Sequence, residues 1–267
     1  MTIQVLIVLV LTFVIYVIGT LAYSVRVVGI KTGRIAIAFS VFNIFALVSR
    51  TANSLQGPLL AKTIENGIQA GDTSGLINVF RWILLSASLA VIAGALLMPT
   101  FIRVFGKAVE SFSVYRSIPK ILIHGFSKSG VEQFKNSITV PKRANISQLK
   151  AIRRMPKKLI VLNILAASIS AVGVLSSLYA GTLAPELRTT CNTLSSVVVG
   201  FSTILMFLFI DPFISMLTDD VLRGKCSELY FNRCIIFIVS GLFLGTLLAQ
   251  ALLIPAANLI VSIARLL

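Results

Sequence analysis

Six apolar stretches, each long enough to cross a hydrocarbon layer of about 30 Å, restrict this chain to helices in lipid. They run from Ile3 to Tyr23, Ile35 to Gly57, Trp82 to Phe105, Leu159 to Ala184, Thr189 to Leu217 and Cys234 to Leu253. With no water in the hydrocarbon to satisfy backbone N–H and C=O groups, an α-helix is the form such runs can take. The composition, 57% hydrophobic and 12% charged, removes soluble enzymes and soluble binding modules from consideration. The first stretch has no basic leader and no small-residue cleavage site behind it, so it is expected to remain as a span rather than serve as a secretory signal.

The stretches form two copies of one pattern. Gly19, Leu21, Arg34, Pro58, Glu65 and Asn66 return as Gly173, Leu175, Arg188, Pro212, Asp219 and Asp220, all displaced by 154 positions. Ala95-Leu-Leu-Met-Pro99 returns as Ala251-Leu-Leu-Ile-Pro255 at a displacement of 156, a slip of two residues before the third stretch of each copy. Three crossings per copy is an odd number, so the second copy is expected to lie inverted, the arrangement in which transporters build a site between pseudo-symmetric halves. The expected architecture is therefore an all-α integral membrane protein of six helices, made of two inverted three-helix repeats (1–105 and 159–267) joined by a linker (106–158). The alternative is that apolar runs align by chance, but the matches include Arg, Pro and acidic residues, which such runs seldom contain.

Charge sets the orientation. From Arg103 to Lys158 the chain carries 13 of its 24 Lys and Arg residues and two acids, Glu110 and Glu132. Basic loops stay on the cytoplasmic side, which puts the linker and the Arg26, Lys31 and Arg34 turn inside, and both termini outside the cytoplasm. The net charge of +15 then needs no nucleic-acid partner; it belongs to loops that face water or anionic membrane lipids. Within the linker, Ile118, Phe126, Phe134 and Ile146 alternate with cations as short amphipathic helices on the inner leaflet would. His124 has no second ligand at metal spacing, and Cys191, Cys226 and Cys234 form no CxxC pair, so neither a metal, a cofactor nor a redox role is expected.

The polar chemistry gathers in the second stretch. At 100° per residue Asn43, Arg50, Ser54 and Gly57 fall within roughly 60° of one another and Asn53 widens the stripe to about 100°, while Gln56 points away from it. An arginine at the centre of a membrane helix costs about 2.5 to 3.5 kcal/mol on insertion scales, and such charges face an interior or an aqueous cavity. Its counterpart in the second copy is Ile204, so the repeat supplies no counter-charge. Asp211 lies about 10 Å nearer the cytoplasm than Ile204 at 1.5 Å per residue and is expected to face Arg26, Arg34 or Arg103 as a pin or gate. Arg50 is thus left to grip an anion, with Asn43, Asn53 and Ser54 adding hydrogen bonds; the alternative is that it snorkels to the outer surface or pairs with a helix-end carbonyl. Gly57-Pro58 and Asp211-Pro212 stand at matched places, and interrupted helices at corresponding positions point to a transport site.

Ser24-Val25-Arg26, Phe42-Asn43-Ile44-Phe45 and Val48-Ser49-Arg50-Thr51-Ala52-Asn53 resemble the Amj family of bacterial membrane proteins, and the likeness runs along essentially the whole chain. The resemblance implies a lipid II flippase of the bacterial cytoplasmic membrane, an alternate to MurJ, which carries the undecaprenyl-diphosphate-linked peptidoglycan precursor from the inner to the outer leaflet during cell-wall synthesis. It assigns no site residues. It is compatible with a homodimer, given six spans around so large a headgroup. Two other classes stay open beside it: a membrane enzyme acting on polyprenyl diphosphate, for which a His nucleophile or clustered carboxylates are lacking, and a small-solute or ion transporter, which shares the inverted architecture; were transport coupled to protons, Asp211 and Glu65 are the candidate carriers.

Overall fold

The structure is a computed structural model that describes residues 2–69, 75–115 and 156–267. Its described residues form helices with no strand, and six of the helical segments are long and apolar enough to cross a membrane. They are α1 (Ile3–Thr32), α2 (Ile35–Gln69), α3 (Leu76–Tyr115), α4 (Lys157–Leu183), α5 (Arg188–Leu205) continued as α6 (Asp211–Leu222), and α7 (Glu228–Leu266). A 3-10 turn at Pro185–Leu187 precedes α5, and a π-helical turn at Met206–Ile210 joins α5 to α6. The helices outrun the apolar stretches that announced them: the 35 residues of α2 span about 52 Å at 1.5 Å per residue. Backbone hydrogen bonding continues past the apolar core wherever no breaker intervenes. The second helix passes through Pro58 without ending. Most of the linker, His124 and the amphipathic segments expected there lie outside the described residues; α3 extends into its start.

Two turns are closed by glycine. Gly33, at φ 66°, ends α1 while the Gly33 and Arg34 amides donate to the Ile30 and Gly29 carbonyls. Gly224, at φ 71°, does the same after α6, with the Gly224 and Lys225 amides donating to Val221 and Asp220. A left-handed residue at this place satisfies carbonyls that a helix end leaves orphaned, and glycine adopts it without a Cβ penalty. Beyond the second turn Ser227 caps α7, its hydroxyl accepting from the Tyr230 amide.

Packing repeats within each half. α1 lies against both α2 and α3, and α4 against both α5 and α7, whereas α2 barely touches α3. The first helix of each half is thus its spine, and α2 and α5–α6 are the least buried spans. The halves meet mainly through α3 and α7. One buried cluster gathers Val8 of α1, Leu60 and Ile64 of α2, Phe80 of α3, Leu175 of α4 and Leu253 of α7. It marks the end of the bundle where α1 begins and α7 ends. A second gathers Val27, Leu159, Ile214, Phe231 and Ile235 at the opposite end, where the linker attaches. The beginning of α1 therefore clusters with the later part of α4, and the later part of α1 with the beginning of α4.

Small residues bring the helices close. A Cβ on Gly245 of α7 would lie 2.5 Å from the Ala167 Cβ and 2.9 Å from the Ile164 carbonyl oxygen on α4. Membrane helices gain association from such approaches, because lipid offers no hydrophobic drive between them. Buried hydroxyls are spent locally: Thr246 donates to the Phe243 carbonyl, and Ser88 of α3 donates to Thr246 across the junction of the halves, at 3.0 Å.

Candidate functional site

Between α2 and α5 the bundle opens into a cavity of about 720 Å³, backed by α1 and α4. Its walls draw on the same repeat positions in both halves. Thr12, Tyr16, Ser49, Asn53 and Gly57 line it from the first half, and their counterparts Ala166, Ser170, Thr203, Phe207 and Asp211 line it from the second. Because each half contributes through its spine and its least buried helix, the cavity forms where two similar concave surfaces face one another.

On α2 the lining residues are Ser49, Arg50, Asn53, Gln56, Gly57 and Leu60. At 100° per residue these occupy an arc of roughly 120° centred on Asn53. The stripe expected from the sequence was centred near Asn43 and Arg50, about 70° away. Arg50, at the edge of the arc, and Asn53, at its middle, belong to the cavity wall; Asn43 and Ser54 do not. Asn43 lies two turns from Arg50 toward the linker end, beyond the cavity, and the Ser54 hydroxyl turns back to donate to the Arg50 carbonyl at 3.0 Å. Gln56, which sequence geometry set aside, lines the cavity, and its Nε2 donates to the Thr12 hydroxyl at 2.7 Å. Thr12 in turn donates to the Val8 carbonyl. That bond joins α1 to α2 on the cavity side, and no feature of α2 alone reveals it.

The second half supplies polarity less generously. Ser202 donates across to the Ala166 carbonyl at 2.7 Å and ties α5 to α4 behind the cavity. Asn163, also in the wall, donates to the Ile238 carbonyl of α7 at 2.8 Å. These groups hold the frame and are already satisfied. Phe207 lines the cavity while 65% exposed, so on this side the wall is an open aromatic edge rather than a polar surface.

Asp211 lies in the cavity wall with Oδ1 3.8 Å from Arg26 Nη2. Arg26 also sits over the Phe39 ring, 5.7 Å from its centroid. Asp211 therefore meets one of the three arginines the sequence offered, and the contact bridges the halves near the linker end. Arg34 forms no such pair among the described residues. Toward the other end Arg188 Nη2 lies 3.4 Å from Glu65 Oε1, joining α5 to α2. Pro58 sits within α2 and is exposed, whereas Pro212 opens α6 directly after the π-helical turn. Proline removes an amide donor from each helix, and a local π adjustment is one way a membrane helix re-satisfies the group this frees. Matched prolines thus have unequal local outcomes.

Arg50 is exposed to the cavity, and no carboxylate pairs with it among the described residues. With Asp211 engaged by Arg26, the wall presents one uncompensated guanidinium flanked by the Asn53 amide and Ser49. A guanidinium offers five donors in a rigid fork that matches two oxygens of a phosphate or carboxylate. Nothing among the described residues gathers three His, Cys, Asp or Glu side chains as a metal site would. The three cysteines are free, with Cys191 and Cys234 buried.

The chain is similar to the protein called Lipid II flippase Amj from Bacillus subtilis (strain 168), with 38% identity over 261 residues, covering 96% of this chain and 95% of that protein. No solved structure matches it. The profile of the family described as Alternate to MurJ matches residues 11–264. A match across the six spans and both cavity walls leaves one reading of ancestry: the chain belongs to the Alternate to MurJ (Amj) family.

Proposed function

We propose that this chain is a lipid II flippase of the bacterial cytoplasmic membrane, carrying the undecaprenyl-diphosphate-linked precursor from the inner to the outer leaflet. The observation that carries the reading is Arg50. It is a guanidinium without a carboxylate partner in the wall of a cavity between the halves, in a chain 38% identical to a named lipid II flippase over nearly its whole length. Diphosphate oxygens supply the missing negative charge, Asn53 adds hydrogen bonds, and the polyprenyl tail stays in the lipid. The cavity's 720 Å³ is within the roughly 300 to 1,000 Å³ of small-ligand sites, enough for a diphosphate and its nearest sugar but not for a long isoprenoid.

The transport cycle in this reading is alternating access between two inverted three-helix units, 1–105 and 159–267, with the basic 106–158 segment on the cytoplasmic face. The opposite senses in which α1 and α4 run through the two buried clusters and the shared lining positions support the inversion. The basic turns at the linker end support cytoplasmic placement of that end, with both termini outside, and would draw anionic lipid headgroups toward the cavity. A second copy of the chain would widen the enclosure for the sugar-peptide headgroup; cross-linking in native membranes tests for it.

Replacing Arg50 with Ala should cut delivery of lipid II to the outer leaflet about 10- to 100-fold, the loss expected for a charge-assisted hydrogen bond, in cells that depend on this protein and express it at normal levels. Arg50→Lys should retain part of the activity, since charge remains while the two-pronged geometry is lost. Full delivery by Arg50→Ala overturns the role assigned to Arg50. Release of inorganic phosphate from the lipid by purified protein would favour the enzyme reading instead, and unchanged lipid II accessibility on depletion would favour a small-solute transporter.

A further inference from the structure

The two halves keep the same charges at four matched positions but use only two of them. Arg188, the first residue of α5, pairs with Glu65 near the end of α2 at 3.4 Å. In the repeat register Arg188 corresponds to Arg34, just before α2, and Glu65 corresponds to Asp219 in α6. The basic position is Arg in both halves and the acidic position is Glu or Asp. Arg34 and Asp219 are nevertheless both exposed, and they form no ion pair among the described residues. The late part of α2 meets the start of α5 at Glu65–Arg188, so these helices run in opposite senses. The Arg34 and Asp219 ends therefore both lie at the far end of the bundle, where the linker attaches.

A strictly two-fold bundle would make both pairs or neither. We propose that Glu65–Arg188 and Asp219–Arg34 are alternating latches: the structure holds the first closed and the second open, and the transport cycle exchanges them. Arg50 stands about midway along α2 between Arg34 and Glu65, so each latch governs one approach to it. Half-exposed ion pairs are weak and screened by salt, which suits contacts that must break once per cycle. The Arg26–Asp211 contact has no such counterpart, since the matched positions are Ala180 and Gly57; it stays outside the exchange. This inference rests on the reading of the cavity as a transport path, and not on which lipid follows it.

The test uses the full chain in native membranes, with Cys191, Cys226 and Cys234 replaced by Ser, and a short bis-methanethiosulfonate cross-linker. Glu65→Cys with Arg188→Cys, and separately Arg34→Cys with Asp219→Cys, should each cross-link. In a four-cysteine chain, molecules linked at one pair should not link at the other. Either link should lower lipid II delivery at least tenfold, and reduction should restore it. Failure of the Arg34→Cys/Asp219→Cys pair to link in a variant present in the membrane at the normal level overturns the proposal, as does linkage of both pairs in one molecule. Should cysteines impair folding, charge exchange replaces them: Arg34→Glu with Asp219→Arg should recover the activity each single change loses, and no recovery there alongside recovery in Glu65→Arg with Arg188→Glu also overturns it. Mutually exclusive links in a protein that moves no lipid II leave the latches standing and remove only the substrate assignment.

Discussion

Arg50 was legible because lipid penalises a charge wherever the chain places one, so a guanidinium fifteen residues into an apolar run had to face polarity. Which neighbours share that polarity was not legible. The angular stripe counted every polar side chain on α2 equally, whereas Ser54 spends its hydroxyl on the Arg50 carbonyl and Asn43 lies beyond the cavity. Gln56 looked misplaced until Thr12 came within 2.7 Å of it. That partner is 44 residues away, and no local periodicity encodes the contact. Gln56→Leu should therefore cost about 1 kcal/mol of stability, the worth of one hydrogen bond, and let α2 rotate away from α1. Thermal unfolding in detergent measures the first effect and altered thiol accessibility at an introduced Asn53→Cys the second; an unchanged pattern at Asn53 would show that the Gln56–Thr12 bond does not set the rotation of α2.

Among elements, the six spans follow from hydropathy, but their ends and interruptions do not. α2 continues to Gln69 although Pro58 lacks an amide, while the matched Pro212 is preceded by a π-helical turn. Helix approach was equally hidden, since a glycine in an apolar run does not declare which helix it faces. At Gly245 a side chain would overlap Ala167 and the α4 backbone, whereas nothing lies within 4 Å of a Cβ on Gly200. Gly245→Val should destabilise the bundle by about 1 to 3 kcal/mol or more, as overpacking does, and Gly200→Ala should leave it folded. Monodispersity and unfolding temperature in detergent separate the two, and a Gly245→Val protein as stable as the parent would show that α4 and α7 do not meet so closely.

For the whole molecule, orientation in the membrane is the property most open to a direct check. Cys226 stands in the turn between α6 and α7, at the end where the linker attaches, and Cys191 and Cys234 are buried. In intact cells a membrane-impermeant maleimide should leave the wild-type chain unlabelled, and labelling should appear once the membrane is permeabilised. Burial, aided by Asp220, pushes the Cys226 thiol up from its ordinary value. The reactive thiolate is then scarcer at neutral pH than for a free thiol, and labelling should climb as pH rises beyond the usual thiol range. Labelling in intact cells would reverse the proposed topology.

The amino-acid sequence alone determined that this chain forms six helices long and apolar enough to cross a membrane, and that one arginine is stranded among apolar residues. Each of those follows from local quantities: the cost of moving a side chain into hydrocarbon, and spacing along a single helix. The tertiary structure decided which face of α2 meets the cavity, that Asp211 is held by Arg26, and that Glu65 pairs with Arg188 while the matched Asp219 and Arg34 form no ion pair among the described residues. Those depend on how helices distant in sequence rotate and approach, and the free energy of such contacts is shared between partners that no one segment contains.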